Sequence, residues 1–291
     1  LGSPSDLTAV GNTLYFEAYD ATNGNELWKS DGTANGTVMV KDINDGSHLS
    51  RTPYSRDSNP YGLTAIGNTL YFAADDGYDT ELWKSDGTAN GTVIVKGIYS
   101  GGGTNPQQLT AVGNTLYFQA DDGTNGTELW KSDGTANGTM MVKDINSGSN
   151  DSYPVRFTAI GTTLYFRADD GNNGYELWKS DGTTSGTVMV KDIDSGSGSS
   201  YPGQITAVGD NIYFSADDGT NGEELWKSDG TASGTVMVKD INSGSIVGGG
   251  GSSRPYDLTA VGNTLYFRAN DGTNGYELWK SDGTASGTVM V

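Results

Sequence analysis

The stretch LTAVGNTLYFEAYDATNGNELWKSDGTANGTVMVKDI, residues 7–43, decides the fold. Its apolar and polar residues alternate at a period of two, in short runs interrupted by glycine, which is the pattern of half-buried strands. The spacing predicts four strands, over 7–10, 14–18, 26–29 and 37–43. Gly11-Asn12, Thr22-Asn23-Gly24 and Asp31-Gly32 tolerate positive φ and place hairpin turns between them. Val38, Val40, Tyr15, Phe16 and Trp28 favour strand, whereas a helix would lose about 1 kcal/mol at every glycine. Leu14, Phe16 and Ala18 share one face and Tyr15 points to the other, so both faces of the predicted sheet carry apolar groups.

The unit recurs six times, phased by Trp28, Trp83, Trp130, Trp178, Trp226 and Trp279, with separations of 55, 47, 48, 48 and 53 residues. A four-stranded antiparallel meander of this length is a propeller blade, because a single such sheet cannot bury both faces and must stack on its neighbours. The expected fold is all-β: one six-bladed β-propeller over 1–291, with units of about 7–62, 63–108, 109–156, 157–204, 205–257 and 258–291. A linear array of the same sheets is the alternative. Two ring closures fit: each blade contiguous in sequence, or Thr288–Val291 joining the sheet begun by Leu7; the second ties the termini together and is preferred. Strand parity puts the connectors and the D-D-G-T-N-G turns on one side, and the G-N-T and S-D-G-T turns on the other.

Composition limits the function. With 17 Lys and Arg against 36 Asp and Glu, the net charge is −19, which repels nucleic acid and anionic lipid. There is no cysteine and one histidine, His48, so thiol chemistry and thiolate or repeated imidazole metal sites are excluded. No apolar run is long enough to span a bilayer as a helix. The chain begins at Leu1 with neither initiator Met nor signal peptide, the expectation for a processed chain or an excised domain.

Two sets of residues are candidate sites on the connector side. The acidic turns offer Asp20, Asp76, Asp122, Asp170, Asp218 and Asp271, and carboxylates among Gly, Asn and backbone carbonyls suit calcium, a hard cation that needs about six to eight oxygens. The competing reading is that these aspartates make Asx turns and keep the loops soluble. The connector tyrosines Tyr54, Tyr61, Tyr153, Tyr201 and Tyr256 are candidates to stack on a ligand, or else pack within the loops. For the tryptophans, Leu-Trp within a strand favours blade packing. Catalysis has little support, since an active site in a repeat array needs unique residues; here those are His48, the loop insertions and the arginines Arg51, Arg56, Arg156, Arg167, Arg254 and Arg268.

At ELWKSDGT, present in full in all six copies, the chain resembles the ELWxxDGT repeat family of large bacterial surface and secreted proteins. The resemblance implies an extracellular or cell-surface location and an adhesive role; it carries no catalytic set. The functional expectation is therefore a non-enzymatic adhesion module, binding a glycan or a cell-surface or matrix protein multivalently through repeated loops on one face, with calcium as assisting ion and no nucleic acid or membrane partner. The alternatives are a structural spacer in a larger surface fibre and, third, an enzyme of glycosidase or lyase type.

Overall fold

The computed structural model describes residues 2–46, 56–99, 101–246 and 249–291. Its strands form six four-stranded antiparallel sheets, and the fold is a six-bladed β-propeller without helices among the described residues. The first blade has strands Gly2–Val10, Thr13–Asp20, Gly24–Ser30 and Val38–Lys41. The other blades begin at Tyr61, Gln107, Val155, Gly203 and Tyr256, and a two-stranded hairpin, Ser245–Ile246 with Gly249–Gly250, decorates the long connector before the last. Two compact units hold three blades each: Leu1–Asp144 with Gly148–Asp151, and Ile145–Ser147 with Ser152–Val291.

Two expectations are corrected. The fourth strand ends at Lys41 rather than running to Ile43, because the Ile43 N–H leaves the ladder to donate to Glu26 Oε2 at 2.9 Å. The final strand, Val289–Met290, pairs with Tyr276–Ser281 of its own blade, and Gly2–Val10 pairs within the first blade, so each blade is contiguous in sequence. The S-D-G-T turn enforces this locally. Ser281 and Thr288 bridge their hydroxyls at 2.7 Å across the turn, and the Val291 N–H extends the ladder to Leu278 O at 2.8 Å.

Blades join through a repeated junction whose two halves lie on opposite sheet faces, as the alternation of Leu14, Phe16 and Ala18 with Tyr15 requires. Between the first two blades, Tyr15, Leu27 and Val40 pack on Leu70, Phe72, Ala74 and Trp83. The same positions meet again within the units, with Tyr71 and Leu82 on Phe118, Tyr165 and Leu177 on Phe214, and Tyr213 and Leu225 on Phe267. Burying each large apolar side chain contributes about 1.5–3 kcal/mol, so these seams carry the stability. Polar bonds set their register. Lys29 Nζ donates to Gly87 O at 2.8 Å and Lys41 Nζ to Thr92 O at 2.9 Å, the latter passing 5.3 Å over the Trp83 ring.

The S-D-G-T-A-x-G segment is thus a docking point as well as a hairpin. A Cβ on Gly87, Gly134, Gly230 or Gly283 would overlap the hydroxyl of Tyr15, Tyr71, Tyr165 or Tyr213 from the preceding blade. The last glycine of the segment is required for another reason: a Cβ on Gly138 would strike the Asp133 carboxylate, which is held by the Thr135 N–H at 2.9 Å and hydroxyl at 2.7 Å.

At the junctions inside each unit, the glutamate before the Leu-Trp pair closes the seam from the connector side. Glu224 is fully buried and accepts from Ile241 N–H at 2.9 Å, Ser253 N–H at 2.9 Å and the Ser253 hydroxyl at 2.6 Å. Glu26 does the same with Ile43 and Ser58, and Glu176 with Ile193 and Ser200. Burial raises the Glu26, Glu81 and Glu224 carboxyls to about 7, against the lowering effect of these hydrogen bonds, and raises Glu176 in the same direction.

Candidate functional site

The repeat dictates backbone conformation before it dictates side chains. At or just ahead of the start of each first strand runs a Ser/Thr-x-Pro segment, with Gly2 in the hydroxyl position of the first blade. Its central residue has positive φ every time, from 42° at Asn59 to 48° at Ser3. Three residues later a second positive φ, between 52° and 67°, marks a register shift in the first hairpin of the blade. Left-handed backbone costs a side-chain-bearing residue about 1–2 kcal/mol, least for Asn and Asp and nothing for Gly. The first unit fills these places with Ser3, Asn59, Asn105, Asp6, Gly62 and Gln108, whereas the second holds Tyr153, Tyr201, Arg254, Arg156, Gln204 and Asp257. Large and cationic side chains have been placed where the backbone resists them, a pattern characteristic of functional sites.

In the second unit four of these positions, Arg156, Tyr201, Gln204 and Arg254, line a cavity of about 550 Å³. Gly203 faces Ser215 in register, and this small pair forms the floor. On the flanking blades the equivalent pairs are Val155 with Arg167 and Tyr256 with Arg268, so the same register that leaves the floor empty raises a guanidinium on each side. Arg156 and Arg254 complete the lining, which thereby gathers four of the chain's six arginines; Glu223 is its one carboxylate.

Aromatic rings hold Arg167 and Arg268. The Arg167 guanidinium lies 5.4 Å from the centre of the Tyr175 ring and 6.0 Å from that of Tyr201, and these rings stack with centroids 5.5 Å apart. Arg268 lies 5.7 Å from Tyr256 and 5.2 Å from Tyr276. Burial and then the Arg156 charge lower the Arg167 pKa, yet an arginine remains protonated at any physiological pH. Arg167 Nε is buried without a hydrogen-bond partner. Arg268 has only a 4.0 Å approach to Asp257 between side chains more than half exposed, which contributes little. The arrangement attracts a planar anion, for which the guanidinium fork is shaped.

The predicted residues fall in several places. Tyr201 and Tyr256 line the cavity. Tyr153 occupies the equivalent left-handed position of the fourth blade and is exposed, outside the lining. Tyr61 pairs with Ala73, and burial pushes its hydroxyl up to about 12. Tyr54 lies outside the described residues, as do His48 and Arg51. The cavity's arginines were not among the candidate binding residues. The available signal was that Arg167 and Arg268 occupy the same position, x in L-Y-F-x-A, of the fourth and sixth copies.

The carboxylates of the acidic turns accept hydrogen bonds from within their own loops. Asp20 Oδ1 accepts the Thr22 and Asn23 N–H groups at 2.7 and 2.9 Å, and Oδ2 accepts the Asn23 side-chain amide at 2.9 Å. Asp122, Asp170, Asp218 and Asp271 are engaged the same way, and Asp76 accepts the Tyr78 N–H at 3.0 Å. The asparagines present N–H where a cation needs oxygen. These bonds hold the Asp20 carboxyl below its usual range, the Asn23 side chain first among them. Among the described residues no group of three or more acidic or histidine side chains is disposed to hold a metal. Millimolar Ca²⁺ in place of a chelator is expected to move the melting temperature by less than about 2 °C, by differential scanning fluorimetry. A larger rise restores the ion.

No family model matches the chain, and no curated protein does. Solved structures do. A prolyl endopeptidase aligns at 14% identity and TM-score 0.56, over 99% of this chain and 43% of its own. Prolyl oligopeptidase B of Galerina marginata, bound to a 35-residue substrate, aligns at 12% and 0.55, over 99% and 43%. The β-propeller domain of the trilobed protease of Pyrococcus furiosus aligns at 13% and 0.48, over 96% and 82%. The chain thus spans less than half the length of the first two enzymes. At such identities the likeness establishes the fold alone. The expectation of a multivalent adhesion module is corrected accordingly. The propellers it resembles belong to peptidases, its repeated turns are spent on their own hydrogen bonds and on blade junctions, and the residues that do converge form one asymmetric basic pocket.

Proposed function

We propose that this chain is the recognition propeller of a peptidase system: it breaks no bond itself, and its arginine and tyrosine pocket takes a carboxylate-bearing segment of a polypeptide. One observation carries the reading. In a chain of net charge −19, four of six arginines line a single cavity, two of them laid against tyrosine rings. Paired guanidinium groups bind carboxylates in the fork geometry, and the tyrosines add stacking area for a neighbouring peptide plane. The described lining has one carboxylate and no histidine, so it offers neither a carboxylate pair nor a nucleophile with its base. The oligopeptidase that shares the fold was captured with a 35-residue peptide, which supports a polypeptide ligand. Membership in the ELWxxDGT family and an extracellular location are part of the same proposal, supported by the sixfold ELWKSDGT segment.

Calorimetric titration with capped pentaglutamate and capped pentaglutamine tests the reading. The acidic peptide is expected to bind, with affinity falling as salt rises, and R167A/R268A to weaken it at least tenfold, about 1.4 kcal/mol, while leaving the melting curve in place. Equal binding of the neutral peptide, or no loss in the double variant, overturns it.

A further inference from the structure

We infer, on the footing of the peptide-binding reading above, that the pocket holds two equivalent guanidinium subsites and takes an extended segment in which two acidic residues are separated by one other. Arg167 and Arg268 each stand at x of L-Y-F-x-A, in the fourth and sixth copies, so the repeat gives them one register position on the two blades that flank the fifth. Each has its own pair of rings, Tyr175 with Tyr201 and Tyr256 with Tyr276, at 5.2–6.0 Å from the guanidinium. Neither fork is spent on the chain's own carboxylates among the described residues: Arg167 Nε is buried without a partner, and Arg268 comes no nearer than 4.0 Å to Asp257.

The fifth blade keeps the space between them open. Its residue at x is Ser215, paired in register with Gly203, and a Cβ on Gly203 would lie 3.0 Å from Ser215 Oγ, so this floor is closed and carries no bulky side chain. A cavity of about 550 Å³ is on the order of 10 Å across, the rise of about three residues of extended peptide at about 3.3 Å each. Residues two apart on such a segment project their side chains to one face, whereas adjacent residues project them to opposite faces. Two carboxylates with one residue between them thus reach both guanidinium groups from one side of the peptide, and the intervening side chain points away. Once one carboxylate is bound, the second binds at the effective concentration set by that short linker.

Calorimetric titration with capped Gly/Ser heptapeptides is the test: one carries a single glutamate, the others two glutamates with zero, one or four residues between them. The pair with one intervening residue is expected to bind at least tenfold more tightly than the single glutamate and than the other two spacings. R167A and R268A, each with an unchanged melting curve, are expected to bring that peptide down to the single-glutamate affinity. Each weakens the single-glutamate peptide by no more than about twofold, the loss of one of two equivalent subsites. The spacing series alters only the ligand, so it decides the matter even where a variant fails to fold. Binding of the pair no tighter than the single glutamate, no dependence on spacing, or an arginine removed without loss overturns the two-subsite arrangement and leaves the acidic-peptide reading standing. No binding of any glutamate peptide overturns both.

Discussion

Replacing Gly134 with alanine is expected to destabilise the chain by about 3–5 kcal/mol, whereas the same change at Gly32, the equivalent residue of the first blade, costs about 1 kcal/mol. Both glycines have left-handed backbone, φ 85° and 90°, so the conformational penalty is shared. They differ in what lies above them. The Tyr71 hydroxyl occupies the space of a Cβ at Gly134, and nothing occupies it at Gly32. Alanine at 134 therefore expels a buried tyrosine from the seam and strains the Lys84 Nζ bond to Gly134 O, 2.9 Å long. Against a total stability on the order of 5–15 kcal/mol, the loss should lower the melting temperature by roughly 10 °C. Urea titrations of the two variants at low protein concentration provide the comparison, and equal losses would show that the turn is only a hairpin.

Stability is also expected to fall between pH 5 and pH 8. The Glu26, Glu81 and Glu224 carboxyls are raised by burial to about 7, and Glu176 is raised for the same reason. A group whose folded pKa lies above its unfolded value binds more protons in the folded state, so its contribution is complete below about 4.5 and is lost as pH rises through about 7. Over three or four such groups this amounts to several kcal/mol. The turn aspartates act in the opposite sense at lower pH. Asp31, Asp86, Asp229 and Asp282 are held below their usual range, first by a hydroxyl from the following threonine, and their support disappears as pH falls through their folded values. Maximum stability thus lies at about pH 5. Melting curves at pH 5 and 8 in 0.5 M salt isolate the buried groups, since salt screens the repulsion of 19 net surface charges far more than it screens a carboxyl inside a seam. A melting temperature that is flat or higher at pH 8 would falsify this account.

Particular residues separate what could be read from the chain and what could not. The alternation of Leu14, Phe16 and Ala18 with Tyr15 assigned both sheet faces, and the Asp-Gly and Asn-Gly pairs located the turns, because the information sits within a few residues. The side shared by connectors and acidic turns was equally legible from parity, and the Asn25 N–H does meet Asp57 Oδ1 across it at 2.8 Å. The early end of the fourth strand was not, since it depends on a bond from Ile43 to a glutamate 17 residues earlier.

The arginine lining of the cavity was not legible for a related cause. Tyrosines beside proline stand out locally, whereas Arg156, Arg167, Arg254 and Arg268 look isolated until three blades bring them to one cavity.

By itself, then, the amino-acid order determined strand period, turn chemistry, blade count and overall charge, all properties of near neighbours or of sums over the chain. Only the tertiary structure decided that the S-D-G-T glycine receives a tyrosine about one blade away, that the acidic turns saturate themselves, and that a small Gly203–Ser215 pair opens space between two arginines. Contacts between residues some fifty positions apart depend on how sheets stack, and a local pattern carries no record of which side chain the neighbouring blade will bring.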